Sequence, residues 1–258
     1  MVAHTRETEA IVLDCIEHGE SDTIVTFFSQ DAGKLTAIAK GAKRSKKRFV
    51  NKLELFSFLH ITYQQKANRS LAFLSEADLH TGFIRLRRNL ELYGIASVIR
   101  EFLLIGVREN EPDDQIFRLS LWALHNLDQQ QPPLTVLSLF LIRFYDYVGY
   151  RPDLQTCSQC EHPVSNSNRY SFDTTTGRIV CSVCSPHAQK RLALSHGTIK
   201  MLRSAQDQPM ERLHRLKISG GILQETVALL QSYGNQLFQR DIASWKIVRR
   251  SHTPFKGA

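Results

Sequence analysis

Short runs of β-branched, aromatic and alternating apolar residues fill residues 8–79 and predict β-strands. Gln30-Asp31-Ala32-Gly33 has the composition of a hairpin turn, because glycine readily adopts the positive φ that tight turns need. Five short strands within about 75 residues, with one long basic loop, are typical of an OB barrel. The predicted strands are Thr8–Ile16, Asp22–Ser29, Lys34–Lys40, Phe56–Gln65 and Arg69–Leu79.

After residue 81 the spacing of apolar residues changes to helical steps. Helices are predicted from Leu86 to Ile105, after Pro112, from Pro133 to Gly149, after the capping residue Ser195, and from about Gly221. Residues 153–189 contain paired cysteines and few large apolar groups, which indicates an insertion between two helical segments. The expected fold is therefore multi-domain α+β, with a barrel over 1–80, a helical domain over 81–152 and 190–250, a cysteine module over 153–189 and a tail over 251–258.

The longest apolar stretch does not predict a membrane span. Leu134–Tyr150 contains Arg143 and Asp146, whereas a spanning helix needs about 20 nearly uncharged residues. The first ten residues, MVAHTRETEA, lack the apolar core of a signal peptide. We therefore expect no membrane association and a location in the reducing cytoplasm.

Two Cys-x-x-Cys pairs predict a metal site. Their spacing is Cys-x2-Cys-x20-Cys-x2-Cys, and each short knuckle can turn two thiolates toward one ion. Strand-like residues 169–173 and 178–181, joined by the turn Thr174–Gly177, complete a zinc ribbon. We predict one structural zinc per chain, because four thiolates leave no position for substrate. Its ligands are Cys157, Cys160, Cys181 and Cys184.

Two alternatives to this ligand set remain open at this stage. The cysteines could be unliganded structural residues or a redox pair, although redox motifs seldom occur twice at ribbon spacing. His162 and His187 lie near the pairs and could replace a cysteine as ligand.

Positive charge is concentrated in two regions of the chain, whose net charge is +8. Between Asp31 and Glu54 there are eight Lys and Arg residues and no acidic residue, and residues 191–258 carry 11 basic against 4 acidic side chains. Clustered cations are typical of a polyanion-binding surface, although they also occur in solvated loops. The candidate DNA contacts are Lys34, Lys40, Lys43, Arg44, Lys46, Lys47, Arg48 and Lys52.

Aromatic residues near the basic loop are candidates for stacking on bases, as in the grooves of OB domains. We expect two of Phe27, Phe28, Phe49 and Tyr63 to be exposed, and Tyr63 is the selected platform. Motifs of catalysis are missing from the sequence: it contains no Gly-x-x-x-x-Gly-Lys-Ser/Thr, Gly-x-Gly-x-x-Gly, Gly-x-Ser-x-Gly or His-Glu-x-x-His. The sequence therefore predicts a binding protein and not an enzyme.

Several segments together resemble one protein family. Gly19–Asp22, Thr26–Phe28, Gly33–Leu35, Lys40–Arg44 and Leu53–Phe56 resemble the N-terminal OB domain of the bacterial RecO family. Arg143-Phe144, Gly149–Leu154 and Cys157–Cys160 resemble the junction between the helical domain and zinc module of that family. The resemblance covers most of the chain, and its order of domains matches the predicted one.

This resemblance implies a mediator of DNA repair and homologous recombination. RecO proteins bind single- and double-stranded DNA, anneal complementary strands, associate with RecR, contact the tail of single-stranded-DNA-binding protein, and help RecA load onto coated DNA. A location at the nucleoid follows. For the acidic tail, the basic C-terminal region offers Arg203, Arg212, Arg215 and Lys217.

Two other functions remain compatible with the residues alone. OB domains and zinc ribbons also serve in RNA binding and transcription, and preference for RNA in a competition assay would favour that class. Magnesium-dependent cleavage of DNA would favour a nuclease. The C-terminal basic region is an alternative DNA surface to the barrel loop.

Overall fold

The computed structural model describes residues 4–65, 71–166, 169–184, 192–218 and 220–251. The chain divides into two compact units, Met1–Asp128 and Gln129–Ala258. The first unit contains the barrel and the helices up to Asp128, and the expected domain boundaries at residues 80 and 152 stay predictions.

The first unit contains a closed barrel with the strand order β1-β2-β3-β5-β4, which confirms the predicted OB fold. The core inside it consists of alternate residues of the strands, among them Val12, Phe27, Leu35, Ile61 and Leu74, all at most 2% exposed. The strands are β1 (His4–His18), β2 (Asp22–Ser29), β3 (Gly33–Ala39), β4 (Phe58–Gln65) and β5 (Leu71–Thr81).

Three helices follow the barrel within the first unit, namely α1 (Ile84–Arg88), α2 (Leu90–Gly106) and α3 (Asp114–Asp128). They cover part of the outer barrel surface, where the Phe28 ring meets Phe117 of α3 edge-on at 5.6 Å. Arg100 of α2 donates hydrogen bonds to the Leu13 carbonyl at 2.8 Å and to Asp14 Oδ1 at 3.0 Å. These contacts explain why some strands carry apolar residues on both faces.

The single helix predicted from Leu86 to Ile105 is two helices in the structure. Asn89 has an extended backbone between α1 and α2, and its side chain accepts hydrogen bonds from the amides of Glu91 and Leu92. An asparagine in this position satisfies amides that the first turn of a helix leaves without partners. The continuous apolar period across residue 89 concealed this cap.

The second unit surrounds a four-stranded sheet with helices. The sheet has the order β6-β8-β7-β9 and contains the predicted ribbon hairpin, whose turn includes Gly177 at φ 68°. Ser195 caps its helix as predicted, whereas the last helix of the unit was not predicted as a separate element. The elements are α4 (Pro133–Tyr147), β6 (Asp153–Cys157), β7 (Tyr170–Asp173), β8 (Arg178–Cys181), β9 (Leu192–Leu194), α5 (His196–Asp207), a 3-10 turn (Met210–Arg215), α6 (Gly220–Phe238) and α7 (Trp245–Ser251).

A search of the described residues finds no helix with the length and apolar character that crossing a membrane requires.

Candidate nucleic-acid interface and metal centre

The basic loop between β3 and β4 is anchored to the barrel. Phe49 is 3% exposed and belongs to the barrel core, which Leu53 and Leu55 also contact. At the start of the loop, Gly41 adopts φ 66°, and its amide donates to Asp22 Oδ1 at 2.8 Å. This hydrogen bond lowers the pKa of the Asp22 carboxyl. The loop therefore holds its cations on a defined backbone.

Some of the predicted DNA-contact cations already have partners in the structure. Lys34 Nζ donates to the Leu104 carbonyl at 3.0 Å, at the C-terminal end of α2. Lys52 Nζ donates to the Ala77 carbonyl at 2.5 Å and lies 3.2 Å from Asp78. Both ammonium groups therefore have partners within the protein, and the assignment of these two lysines as DNA contacts stays a prediction.

Lys43 and Arg44 lie beside acidic residues of the β1–β2 turn region. Lys43 Nζ is 2.7 Å from Glu17 Oε2, and this hydrogen bond lowers the pKa of the Glu17 carboxyl. Arg44 is 3.6 Å from Glu20, but its side chain is 74% exposed. Pairs this exposed contribute little to stability, so a phosphate can replace the carboxylate at small cost.

The remaining cations of the loop point into solvent. Lys40, Lys46 and Lys47 are exposed and form no ion pair with a described carboxylate. Arg48 is exposed as well, with its guanidinium 5.0 Å from the centre of the Phe49 ring. Lys40 and Lys46–Arg48 are therefore cations of the loop that a phosphate chain can reach without displacing a described carboxylate.

None of the four candidate stacking aromatics presents a ring to solvent. Phe27 and Phe28 are fully buried, Tyr63 is 2% exposed and Phe49 is 3% exposed. Leu59, Ile61 and Tyr63 occupy every second position of β4 and therefore the same face of the strand, so the Tyr63 ring faces the barrel interior as the other two side chains do. The prediction that two of the four are exposed, with Tyr63 as a platform, is wrong. The structure therefore supports contact with phosphates and not stacking on these rings.

Replacing Tyr63 with alanine is expected to destabilise the barrel instead of weakening base stacking. Loss of a fully packed ring costs about 3–5 kcal/mol of unfolding free energy. Urea unfolding of the Tyr63→Ala variant measures this loss, with Tyr63→Phe as the control that keeps the ring. Weaker DNA binding by Tyr63→Ala at unchanged stability would contradict the burial argument.

The four predicted metal ligands come together in the ribbon. Their Sγ atoms all lie within 4.8 Å of one another, with Cys157 and Cys181 buried and the other two half-buried. The Cys160 and Cys181 sulfurs are 3.9 Å apart, and the Cys181 amide donates to Cys157 Sγ at 3.4 Å. Such a cluster of four thiols can bind a metal ion.

The environment of the cluster favours the thiolate form of Cys157 and opposes the thiolate form of Cys184. Burial raises the pKa of Cys157, but backbone amides of Cys160, Cys181 and Gln159 outweigh it and lower that pKa to about 6. The Cys184 thiol donates to the Cys181 and Cys160 sulfurs, and these hydrogen bonds raise the pKa of Cys184 to about 12. A divalent cation removes this conflict, because it neutralises several thiolates at once.

The alternative histidine ligands are not part of this cluster as described. His162 is exposed and donates no atom to it, although its backbone carbonyl accepts from the Cys157 amide at 3.0 Å. His187 lies outside the described residues. Among the residues that the structure describes, the candidate metal centre consists of the four cysteines.

Sequence reasoning missed an apolar groove in the second unit. It has a volume of about 450 Å³ and lies between Leu134 of α4, one face of α6, and α7, with Arg249 at its edge. None of the cations predicted as partner contacts is among its described lining residues, and Arg203 donates to Gln155 Oε1 at 3.0 Å. The signal that could have found the groove is the apolar pair Leu223 and Val227 at helical spacing, followed by Ala228.

Comparison with known proteins identifies the family to which these features belong. The model of the recombination protein O N-terminal domain matches residues 1–83, and that of the C-terminal domain matches residues 87–246. The chain belongs to the RecO family. It shares with that family a role in DNA repair and recombination, and its N-terminal domain is an OB-like barrel.

Individual RecO proteins resemble the chain over almost its whole length. The DNA repair protein RecO of Syntrophobacter fumaroxidans is 30% identical over 249 residues, covering 96% of this chain and 99% of the relative. That of Syntrophus aciditrophicus is 32% identical over 246 residues, covering 95% of each. That of Desulfatibacillum aliphaticivorans is 34% identical over 230 residues, covering 88% and 89%.

Proposed function

We propose that the chain binds single- and double-stranded DNA through the barrel loop and anneals complementary strands without catalysing a chemical reaction. The observation that carries this proposal is the exposure of Lys40, Lys46 and Lys47 on an anchored loop, without described carboxylate partners. Membership of the RecO family supports DNA as the polyanion. We further propose that the chain associates with RecR and with single-stranded-DNA-binding protein, and that together with RecR it helps RecA load onto the coated DNA.

The physical basis of annealing is charge screening. Two DNA strands repel each other through their phosphates, and cations on one surface reduce that repulsion by displacing condensed counterions. Because phosphate contacts leave base edges free, the bound strands can still pair. The free energy then comes from base pairing, so no nucleotide hydrolysis is needed.

A strand-annealing assay tests the proposed function. Complementary oligonucleotides are mixed with the protein, with and without single-stranded-DNA-binding protein, and duplex formation is followed over time. We expect faster duplex formation in both cases and no strand cleavage when magnesium is present. Magnesium-dependent cleavage would support a nuclease instead, and tighter binding of RNA than of DNA would support a module for RNA or transcription.

We propose zinc as the ion of the cysteine cluster. The four sulfur atoms lie close enough together to bind one ion. Four thiolates in tetrahedral arrangement are the usual ligands of a structural zinc ion, and they leave no open coordination position. Bound zinc would supply a cross-link between the knuckle after β6 and the knuckle at the end of β8. Its proposed role is therefore to hold the ribbon, with no part in chemistry on DNA.

The groove beside α6 is the proposed binding site for the acidic, hydrophobic tail of single-stranded-DNA-binding protein. Its apolar lining suits the hydrophobic end of that peptide, and Arg249 suits the terminal carboxylate. Acidic residues of the peptide are expected to contact the exposed cations Arg212, Arg215 and Lys217, with a smaller part for Arg203.

Fluorescence titration of a labelled tail peptide tests this assignment. Val227→Glu puts a negative charge into the groove and is expected to abolish binding, whereas Arg212→Ala with Arg215→Ala is expected to weaken it several-fold. The control is the Ala243→Ser variant, because Ala243 is exposed and is not among the residues that line the groove. This variant should bind the peptide as tightly as the parent protein does. No saturable binding by the parent protein up to high micromolar concentration would contradict the proposal.

A further inference from the structure

Two imidazoles and a carboxylate meet on the outer face of the barrel, on three neighbouring strands. Glu9 of β1 is paired directly with His60 of β4, and β4 is paired on its other side with β5. Phe58 and Leu59 pair with Thr81 and Leu79, so His80 is the extra residue of a β-bulge. A bulge re-aims the side chain of its extra residue, here toward Glu9.

The distances within this group are short. Glu9 Oε1 lies 3.1 Å from His60 Nδ1, and Glu9 Oε2 lies 2.7 Å from His80 Nε2. One ligand atom from each of the three residues lies within 4.8 Å of the other two. Glu7 Oε2 is 3.7 Å from His60 Nε2, which adds a second carboxylate beside the group.

One oxygen of the group lacks an adequate hydrogen bond. Glu9 Oε2 is buried from solvent and, although 2.7 Å from His80 Nε2, has no partner in hydrogen-bond geometry. A buried acceptor without a directed donor has lost its hydration without a compensating hydrogen bond, which is unfavourable. A cation placed between this oxygen and the two rings would satisfy the oxygen.

The charge around His60 also favours a cation. Glu9 Oε1 and Glu7 Oε2 lie 3.1 Å and 3.7 Å from the two ring nitrogens of His60. These two carboxylates create a negative potential at the ring, and that potential attracts a metal ion. Imidazole nitrogen and carboxylate oxygen are ligands of Zn²⁺ and other borderline divalent ions.

We propose that Glu9, His60 and His80 form a second metal site, on the barrel surface, that binds Zn²⁺ or a similar divalent transition-metal ion. The three ligands are held by paired strands, so little ordering is needed when the ion binds. The partial exposure of the group leaves coordination positions open to water. Because the unfolded chain does not bring these residues together, ion binding stabilises the closed barrel.

Calorimetric titration of the full-length protein with Zn²⁺ tests the site. With the cysteine cluster already loaded, we expect a further equivalent of Zn²⁺ to bind the parent protein and to raise the melting temperature. Glu9→Gln, His60→Ala and His80→Ala should each lower the affinity for this further Zn²⁺ by at least about tenfold. His18→Ala is the matched control, since His18 lies on β1 outside the group, and it should retain the equivalent.

Co²⁺ absorption separates this site from the cysteine cluster. The intense bands of thiolate-bound Co²⁺ should be unchanged in all four variants, and circular dichroism with urea unfolding shows that the barrel of each variant has folded. Glu9→Gln keeps the size of the side chain and so serves if a histidine variant fails to fold. The proposal is overturned if the parent protein with a loaded cysteine cluster binds no further Zn²⁺. It is also overturned if the variants of Glu9, His60 and His80 bind the further Zn²⁺ as tightly as His18→Ala does.

Discussion

Replacing Cys181 with serine is expected to abolish metal binding at the cysteine cluster and to unfold the ribbon. Cys181 is buried at the end of β8, and its amide also donates to Cys157 Sγ, so this position joins both knuckles. Structural zinc contributes about 10 kcal/mol or more to the folding of small zinc modules. We expect most of that contribution to be lost, since three ligands bind zinc much more weakly than four.

Metal analysis and limited proteolysis measure this result. The parent protein should contain one zinc per chain from the cluster, and Cys181→Ser should lose it and become cleavable within residues 153–184. Cys15→Ser is the matched control, because the Cys15 thiol lies in the first unit and donates to the Leu53 carbonyl. Retention of zinc and of protease resistance by Cys181→Ser would contradict a four-cysteine zinc site.

Removing the solvent-facing lysines of the barrel loop is expected to cause the largest loss of DNA binding. If the loop neutralises about six phosphates of a single strand, log affinity falls with log salt at a slope of about −4. Substituting Lys40, Lys46 and Lys47 with alanine removes three cations that have no described carboxylate partner. The slope should flatten by about 2, and affinity near 0.1 M salt should fall by roughly a hundredfold.

A charge-matched variant distinguishes the loop from the C-terminal basic region. Arg212→Ala, Arg215→Ala and Lys217→Ala together remove the same charge from the second unit, and we expect a small change in slope. Fluorescence anisotropy over a salt series measures both variants, and annealing rates should follow the same order. Equal slopes for the loop variant and the parent would move the DNA surface to the C-terminal region.

Phosphate contacts carry no sequence code. Binding by the parent protein should therefore vary little among oligonucleotides of equal length and different sequence. A strong sequence preference would indicate base contacts, for which the buried rings of Phe27 and Tyr63 offer no support.

The sequence by itself determined the local elements and the cysteine cluster. Strand β2 begins and ends at the predicted residues Asp22 and Ser29, and Ser195 caps its helix as predicted. These features depend on neighbours within a few positions, such as turn glycines, capping side chains and alternating polarity. The Cys-x2-Cys spacing is equally local, because each knuckle closes within four residues.

Only the tertiary structure decided which side chains are available. Phe28 could not be assigned to the surface or the interior from its strand alone, since Phe117, 89 positions later in the chain, covers it. Lys34 carries the same charge as Lys46, but the Leu104 carbonyl at the end of α2 accepts a hydrogen bond from Lys34, whereas the side chain of Lys46 is exposed. The group of Glu9, His60 and His80 likewise arises from barrel closure and a bulge, which no local pattern encodes. Burial and pairing depend on residues distant in sequence, and this is why most elements and the cysteine cluster were predictable, whereas the burial of the aromatic rings and the partners of Lys34 were not.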